Sequence, residues 1–315
     1  MRRPMRTSPR LRHILSAGAA IVLVAAPLAA QTLDDGVMLA RRELLTGDSY
    51  TVDTWDRYWE GALKRTNANI GTITTKVNVL HANYGLADRL NVIGMVPYVW
   101  TKPSQGYLHR IQGLQDLTLG LKWKAIERSS PSVGSLGAFA VVSAGIPLTD
   151  YNPELLPLSI GLGSTRVSWR GTVNYQMPSG WFVNESAAYV WRSQVQLDRP
   201  YFFTDGEFTM SDRVDMPNAF ENVLSAGYMR RNLMVEAFLS QQVTLGGGDI
   251  RRQDMPFVSN RMNYSKAGVM AMLPIPKTGG FEVQGSVAQT FAGRNVGEST
   301  TVTAGILYRF NGRPQ

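Results

Sequence analysis

The side chains able to do chemistry are few and badly spaced for it. The chain has no cysteine, which removes disulfides, thiolate nucleophiles and Cys-based metal sites. Its three histidines are His13, His81 and His109. One falls in the N-terminal segment, one in a strand-like run and one in a loop-like run, a poor ligand set for a metal. A membrane-embedded lipase would need a serine in register with His81, and nothing around His81 supplies that pairing. Gly246-Gly247-Gly248 lacks the lysine and following helix of a phosphate loop, so it reads as an open loop. Asp249 and Asp254 nearby could bind calcium, but two carboxylates in a loop are more often solvated. The expectation is a chain with no catalytic residue, no metal and no cofactor: not an enzyme.

The remaining charged residues carry a different message, because they alternate. In Ser299–Phe310, Thr300, Val302, Ala304, Ile306, Tyr308 and Phe310 share one face. Thr301, Thr303, Gly305, Leu307 and Arg309 share the other. A period of two is a β-strand with two unlike faces. The apolar face ends in two aromatics, as at a membrane–water boundary, and the other face suits water. Three more runs separate as cleanly. Leu117, Leu119, Leu121 and Trp123 oppose Asp116, Thr118, Lys122 and Lys124. Val167, Trp169, Val173, Tyr175 and Met177 oppose Arg166, Ser168, Arg170, Thr172, Asn174 and Gln176. Phe281, Val283, Val287 and Phe291 oppose Glu282, Gln284, Ser286 and Thr290. A charge on a lipid face at mid-bilayer costs about 2–4 kcal/mol, so the charged faces must point inward.

Elements with such faces build a transmembrane, antiparallel, up-and-down all-β barrel. After the N-terminus no apolar run reaches the roughly 18 residues of a membrane helix. Counting back from Phe310 gives about twelve strands: 299–310, 280–292, 261–274, 233–245, 218–229, 181–195, 164–177, 136–147, 114–126, 89–102, 69–84 and 52–64. The breaks between them alternate in size. Short ones lie at Tyr84–Asp88, Met177–Gly180, Arg230–Asn232 and Pro276–Gly280; long ones at Lys102–Gln112, Leu148–Gly163, Gln196–Pro217 and Gly246–Asn260. Short periplasmic turns and longer outer loops are the rhythm of membrane barrels. Glu127–Ser135 is long for a turn and Arg65–Ala68 short for a loop. Trp100, Trp123, Trp169, Trp181 and Trp191 fall mostly near strand ends, where aromatic girdles belong.

Met1–Ala30 reads as a secretory signal, a basic stretch followed by an apolar core ending Pro27-Leu28-Ala29-Ala30. Of the net charge of +8, five units are Arg2, Arg3, Arg6, Arg10 and Arg12, and subtracting them leaves +3. The basic balance therefore belongs to export, and no Lys/Arg block elsewhere tracks nucleic acid. Residues 31–51 are expected in the periplasm, with a short helix around Gly36–Leu45, either as a loose arm or as a plug folded into the pore. The barrel then spans 52–310, with a tail at 311–315.

The candidate lumen-lining residues are Asp116, Lys122, Lys124, Arg166, Arg170, Glu236, Lys266, Met270, Glu282 and Arg309. If Lys266 faces in, Met262, Tyr264, Met270 and Met272 follow it; if Asn91 does, Ile93, Met95 and Val99 follow. Methionine is a soft, adaptable contact for apolar ligands. The basic groups either favour anions or pair with Asp116, Glu236 and Glu282. Strands 136–147 and 181–195 show no clear face.

Gly113-Leu114-Gln115-Asp116-Leu117-Thr118-Leu119-Gly120-Leu121-Lys122-Trp123 is similar to the G-x-x-D-x-x-x-G-x-K segment of the family named for the MetA pathway of phenol degradation. Tyr84–Leu90, before a strand ending Val96-Pro97-Tyr98, and Ala144–Thr149 with its G-x-P-x-T ending resemble the same family. The resemblance covers much of Tyr84–Arg192 and extends weakly to Phe310. It implies an outer-membrane barrel of a Gram-negative-type bacterium, labelled a transporter and analogous to fatty-acid and aromatic-hydrocarbon channels. It carries no catalytic residues over; Asp116, Gly120 and Lys122 are motif positions, lumen-side or structural. The expected function is passive uptake of small hydrophobic or aromatic compounds. The rival is a structural or interaction barrel with a closed, charge-filled lumen and ligand-binding outer loops. The partners either reading implies are outer-membrane lipid and lipopolysaccharide, the barrel-assembly machinery and small hydrophobic ligands, with no nucleic acid.

Overall fold

Alternating faces need a wall that separates two environments, and a closed sheet is the one sheet with no exposed edge. The computed structural model describes residues 31–230, 233–251, 253 and 257–310. Residues 1–30, expected as a secretory signal, residues 311–315, Asp254 and residues 231–232 lie outside them. Twelve long strands form the barrel. They are β1 (Leu44–Trp55), β2 (Ile73–Ala87), β3 (Leu90–Pro103), β4 (Asp116–Ser130), β5 (Gly134–Pro147) and β6 (Arg166–Gln176). The second half comprises β7 (Trp181–Arg192), β8 (Ala219–Arg230), β9 (Leu233–Thr244), β10 (Asn263–Pro274), β11 (Phe281–Arg294) and β12 (Thr300–Phe310). Each pairs antiparallel with its chain neighbour, and β1 closes on β12 from Leu44↔Phe310 to Thr54↔Thr300.

The outside is apolar and open: Trp169 is 51% exposed and Leu119 48%, with Leu121, Trp123, Val173, Val287 and Val302 alike. Their strand neighbours Lys122, Thr172, Asp116 and Glu282 are buried. Aromatic contacts gather at the two rims. Trp181 meets Tyr228 and Tyr308 meets Phe310 at the turn end, and Trp169 stacks on Tyr189 nearer the loop end. This is a membrane barrel's inside-out distribution.

Strand bounds differ from the sequence expectation for a physical reason at β1 and at the turn between β4 and β5. β1 begins at Leu44, eight residues before the expected 52, so the helix expected around Gly36–Leu45 does not form. Alternation at 57–66 belongs instead to a hairpin, Arg57–Glu60 against Leu63–Thr66, inside the first loop. That loop therefore spans 56–72 and is long like the others. β4 and β5 run to Ser130 and from Gly134, which shortens the turn between them to three residues. Both apparent exceptions to the turn–loop rhythm disappear. The turns are tight enough to need glycine: Gly180 has φ +102°, and a Cβ there would sit 2.8 Å from the Met229 carbonyl oxygen.

Candidate functional site

The lumen is built from every second residue of the strands, and the chain's own N-terminal segment lies in it. Entering at β1, residues 43 back to 31 run into the barrel, and the wall satisfies their backbone where no helix does. Asn83 Nδ2 donates to the Gln31 carbonyl (2.6 Å) and Asn184 Nδ2 to the Asp34 carbonyl (2.9 Å). Lys122, 0% exposed, donates to the Thr32 and Asp35 carbonyls (2.9 and 2.7 Å) and to Asp35 Oδ1 (2.5 Å). Asn91 Nδ2 donates to Gln31 Oε1 (2.9 Å). Burial pushes the Asp35 carboxyl above its usual range, and the Lys122 ammonium pulls it back. An uncompensated charge so deep is costly, so the pair fixes the segment's position.

At the turn end the segment is sealed by oil and a charge triad. Leu39 and Leu45 pack with Phe182, Met229, Met234, Met272 and Leu307. Arg309 Nη1 donates to Glu43 Oε1 (2.8 Å), and its guanidinium lies 3.5 Å from Glu282 Oε1. Beside the segment a cavity of about 560 Å³ remains. Val37, Met38, Phe139, Phe182, Met234 and Met270 give it apolar walls, and Asp34, Glu236 and Ser225 give it polar points.

At the loop end, loop 148–165 turns inward. The Leu158 carbonyl accepts from Thr101 Oγ1 (2.5 Å), and Tyr151 Oη donates to Asp116 Oδ1 (2.5 Å). Burial and that carboxylate raise the Tyr151 phenol well above its ordinary range. Loops 193–218 and 245–262 join it through Val195, Leu197, Phe202, Val214, Met216, Phe257 and Val258, with Leu156 and Leu162 packed against them. Further out, Asn295 Oδ1 accepts from the Gly61 and Ile250 amides, and Asp249 takes both arms of Arg294. These bonds hold the Asp249 carboxyl down at about 2.

The structure distributes the sequence candidates over three zones. Asp116 and Arg166 meet near the loop end at 3.8 Å. Arg170 goes to Glu221 Oε2 (2.6 Å) and Ser186 Oγ (3.1 Å), and Lys266 to Thr301 Oγ1 (2.9 Å) with Asp53 3.8 Å away. Glu236 and Met270, register partners, face the cavity. Lys124 also lines it and reaches Glu127 (2.8 Å). Glu282 and Arg309 form the turn-end triad. Lys122 meets Asp35 and Asp116 meets Tyr151, so Asp116 and Lys122 do not pair with each other across the lumen. Sequence reasoning missed Asp35, Leu39, Asn83 and Asn184, while Asn91, weighed as an inward residue, is fully buried and turned to the segment. The one signal for the asparagines was their place on strand faces that otherwise turn apolar. Among the described residues no group of three His, Cys, Asp or Glu is placed to hold a metal ion.

A family model described as "Putative MetA-pathway of phenol degradation" matches residues 63–310. The chain belongs to that family. This phenol-degradation-family barrel is similar to the COG4313 outer membrane channel from Pseudomonas putida F1 over 90% of this chain and 100% of that one, at 16% identity and a TM-score of 0.69. At that identity the two share a fold. The translocator domain of the autotransporter NalP from Neisseria meningitidis is similar at 9% identity, over 87% of this chain and 90% of that one, with a TM-score of 0.45. The Pseudomonas putida toluene transporter TodX is similar at 10%, over 87% and 90%, with a TM-score of 0.40. These two are too distant to carry an argument. No curated protein matches the family member described here.

Proposed function

We propose that this barrel is an outer-membrane diffusion channel for small hydrophobic or aromatic compounds, exported to the periplasm by its N-terminal segment. One observation supports the reading most: the wall borders a half-open cavity of about 560 Å³ with methionine and phenylalanine sides and a few polar points. Ligand pockets of roughly 300–1,000 Å³ have that character. Family membership, and a fold shared with a protein described as an outer membrane channel, agree with it. In this reading residues 31–43 are a plug, held by Lys122, Leu39 and the Arg309 triad, and the lumen candidates line the route past it. Glu236 would orient a ligand's hydroxyl while Met270 and Phe182 take its ring.

The test is uptake of phenols and fatty acids into liposomes carrying the purified barrel, with and without residues 31–43. Uptake above empty liposomes that rises on deletion is expected. No uptake by either form would falsify the reading. A second reading, a closed interaction barrel, draws on the paired charges Lys122–Asp35, Arg170–Glu221 and Arg309–Glu43. It predicts that deletion leaves the barrel as tight as before.

A further inference from the structure

The membrane-facing wall carries two carboxylates. Asp48 is the fifth residue of β1, and its register partners are the exposed Leu80 and Ile306. Glu185 is the fifth residue of β7, and its partners are the exposed Leu224 and Val173. Each acid is met by an asparagine of the next strand, two residues before that leucine. Asn78 Nδ2 donates to Asp48 Oδ1 (2.5 Å), and Asn222 Nδ2 donates to Glu185 Oε1. β1/β2 and β7/β8 are six strands apart in a ring of twelve, so the two constellations sit on opposite sides of the barrel. Both start four residues above the turn-end rim. Small outward residues flank both: Ala82 and Gly94 beside the first, Ala226 and Ala237 beside the second.

Lipid tails offer such groups nothing. Each pair uses one amide N–H and one carboxyl oxygen. Asparagine has a second N–H and a carboxyl more lone pairs. Among the described residues neither carboxyl accepts a second side-chain hydrogen bond. Toward the loop end the second patch continues through Gln241, the partner of Asn222, which donates to Ser265 Oγ (3.2 Å). A surface that presents a spare donor beside a spare acceptor is complementary to itself. Small flanking residues let two walls approach closely enough to use it. We infer that these patches are docking faces for further copies of this chain within the membrane. Two faces half a circumference apart build rows rather than closed rings, whether each face meets its like or its opposite.

The absence of cysteine makes the test clean. Ala82→Cys, Ala226→Cys and, as a control on the wall between the patches, outward Ala267→Cys are each expressed in membranes. They are treated with a short bis-maleimide, singly and with Ala82→Cys and Ala226→Cys barrels mixed. Folding is verified by heat-modifiable gel mobility. Cross-linked dimers at 82 or 226, or between them, at about fivefold or more over the control are expected, falling to control level when Asp48→Ala and Glu185→Ala are added. Equal yields at all three sites, none at the patches in folded barrels, or dimers that survive loss of both acids would overturn the inference.

Discussion

At the scale of single residues, Lys122 has the most to lose. Its ammonium is fully buried and serves three acceptors of the lumenal segment. Removing one partner of a buried pair strands the other charge, a cost of about 3–5 kcal/mol. Lys122→Met should therefore release residues 31–43 from the wall and leave the barrel folded. Cleavage within residues 31–43 by a broad-specificity protease such as proteinase K, whose sites do not depend on Asp35, reads this out. Lys122→Met with Asp35→Asn should be cut less than Lys122→Met alone, because no bare carboxylate is left; equal cutting would show that the pair does not hold the segment. Asp249 behaves differently because it sits in a loop. Its carboxyl, at about 2 against an ordinary 3.8, favours the ionised clasp with Arg294. A carboxyl lowered by folding contributes stability that is complete above its unfolded value and is lost as pH falls through its folded one. Loop 245–262 should thus stay clasped down to about pH 4 and open between there and pH 2. Pepsin should cut Asp249→Asn faster than wild type at pH 4, with the two rates converging near pH 2.

At the scale of elements, Leu39 does for the segment what Lys122 does for its charge. It is 1% exposed in a cluster drawn from β1, β7, β8, β9, β10 and β12. Leu39→Ala should weaken the seal by about 2–5 kcal/mol, and Leu39→Asp should expel it. The expected readout, taken with Leu158→Asp also present so that loop 148–165 does not limit passage, is a rise in bilayer conductance with unchanged heat-modifiable mobility; an unchanged conductance on adding Leu39→Asp to that variant would mean the cluster is not a seal. The same cluster explains what could and could not be read from sequence. Strands with water on one side and lipid on the other, such as β4, β6, β11 and β12, announce themselves by alternation, and their bounds were legible within a few residues. The bounds of β5 and β7 were equally legible but their faces were not, because their inner faces carry Phe139, Val141, Phe182 and Val190. Apolar residues inside a membrane barrel erase the contrast that defines its faces. β1 was misplaced for the opposite reason: Tyr58, Trp59 and Leu63 alternate in a genuine hairpin that lies outside the wall. For the lumenal segment the sequence left arm and plug both open, since a segment whose contacts are satisfied by other parts of the chain has no period of its own.

At the scale of the whole molecule, the lumen is narrowed at two levels by two different parts of the chain. Residues 31–43 fill the turn end, and loop 148–165 dips into the loop end with Leu158 buried against Thr101. Resistances in series do not add as variants would if the sites were independent. Opening one leaves the other in control, so Leu39→Asp or Leu158→Asp alone should raise phenol uptake by no more than about twofold, and the pair together by more than the product of the singles. Liposome uptake of the four proteins, scaled to folded barrel, measures this directly. If Leu39→Asp alone reaches the double variant's flux, the outer loop is not a constriction and the segment alone governs passage. If Leu158→Asp alone does so, the reverse holds, and the segment lies beside the route instead of across it. Only the excess of the double variant over both singles fits a channel that needs its two ends opened together.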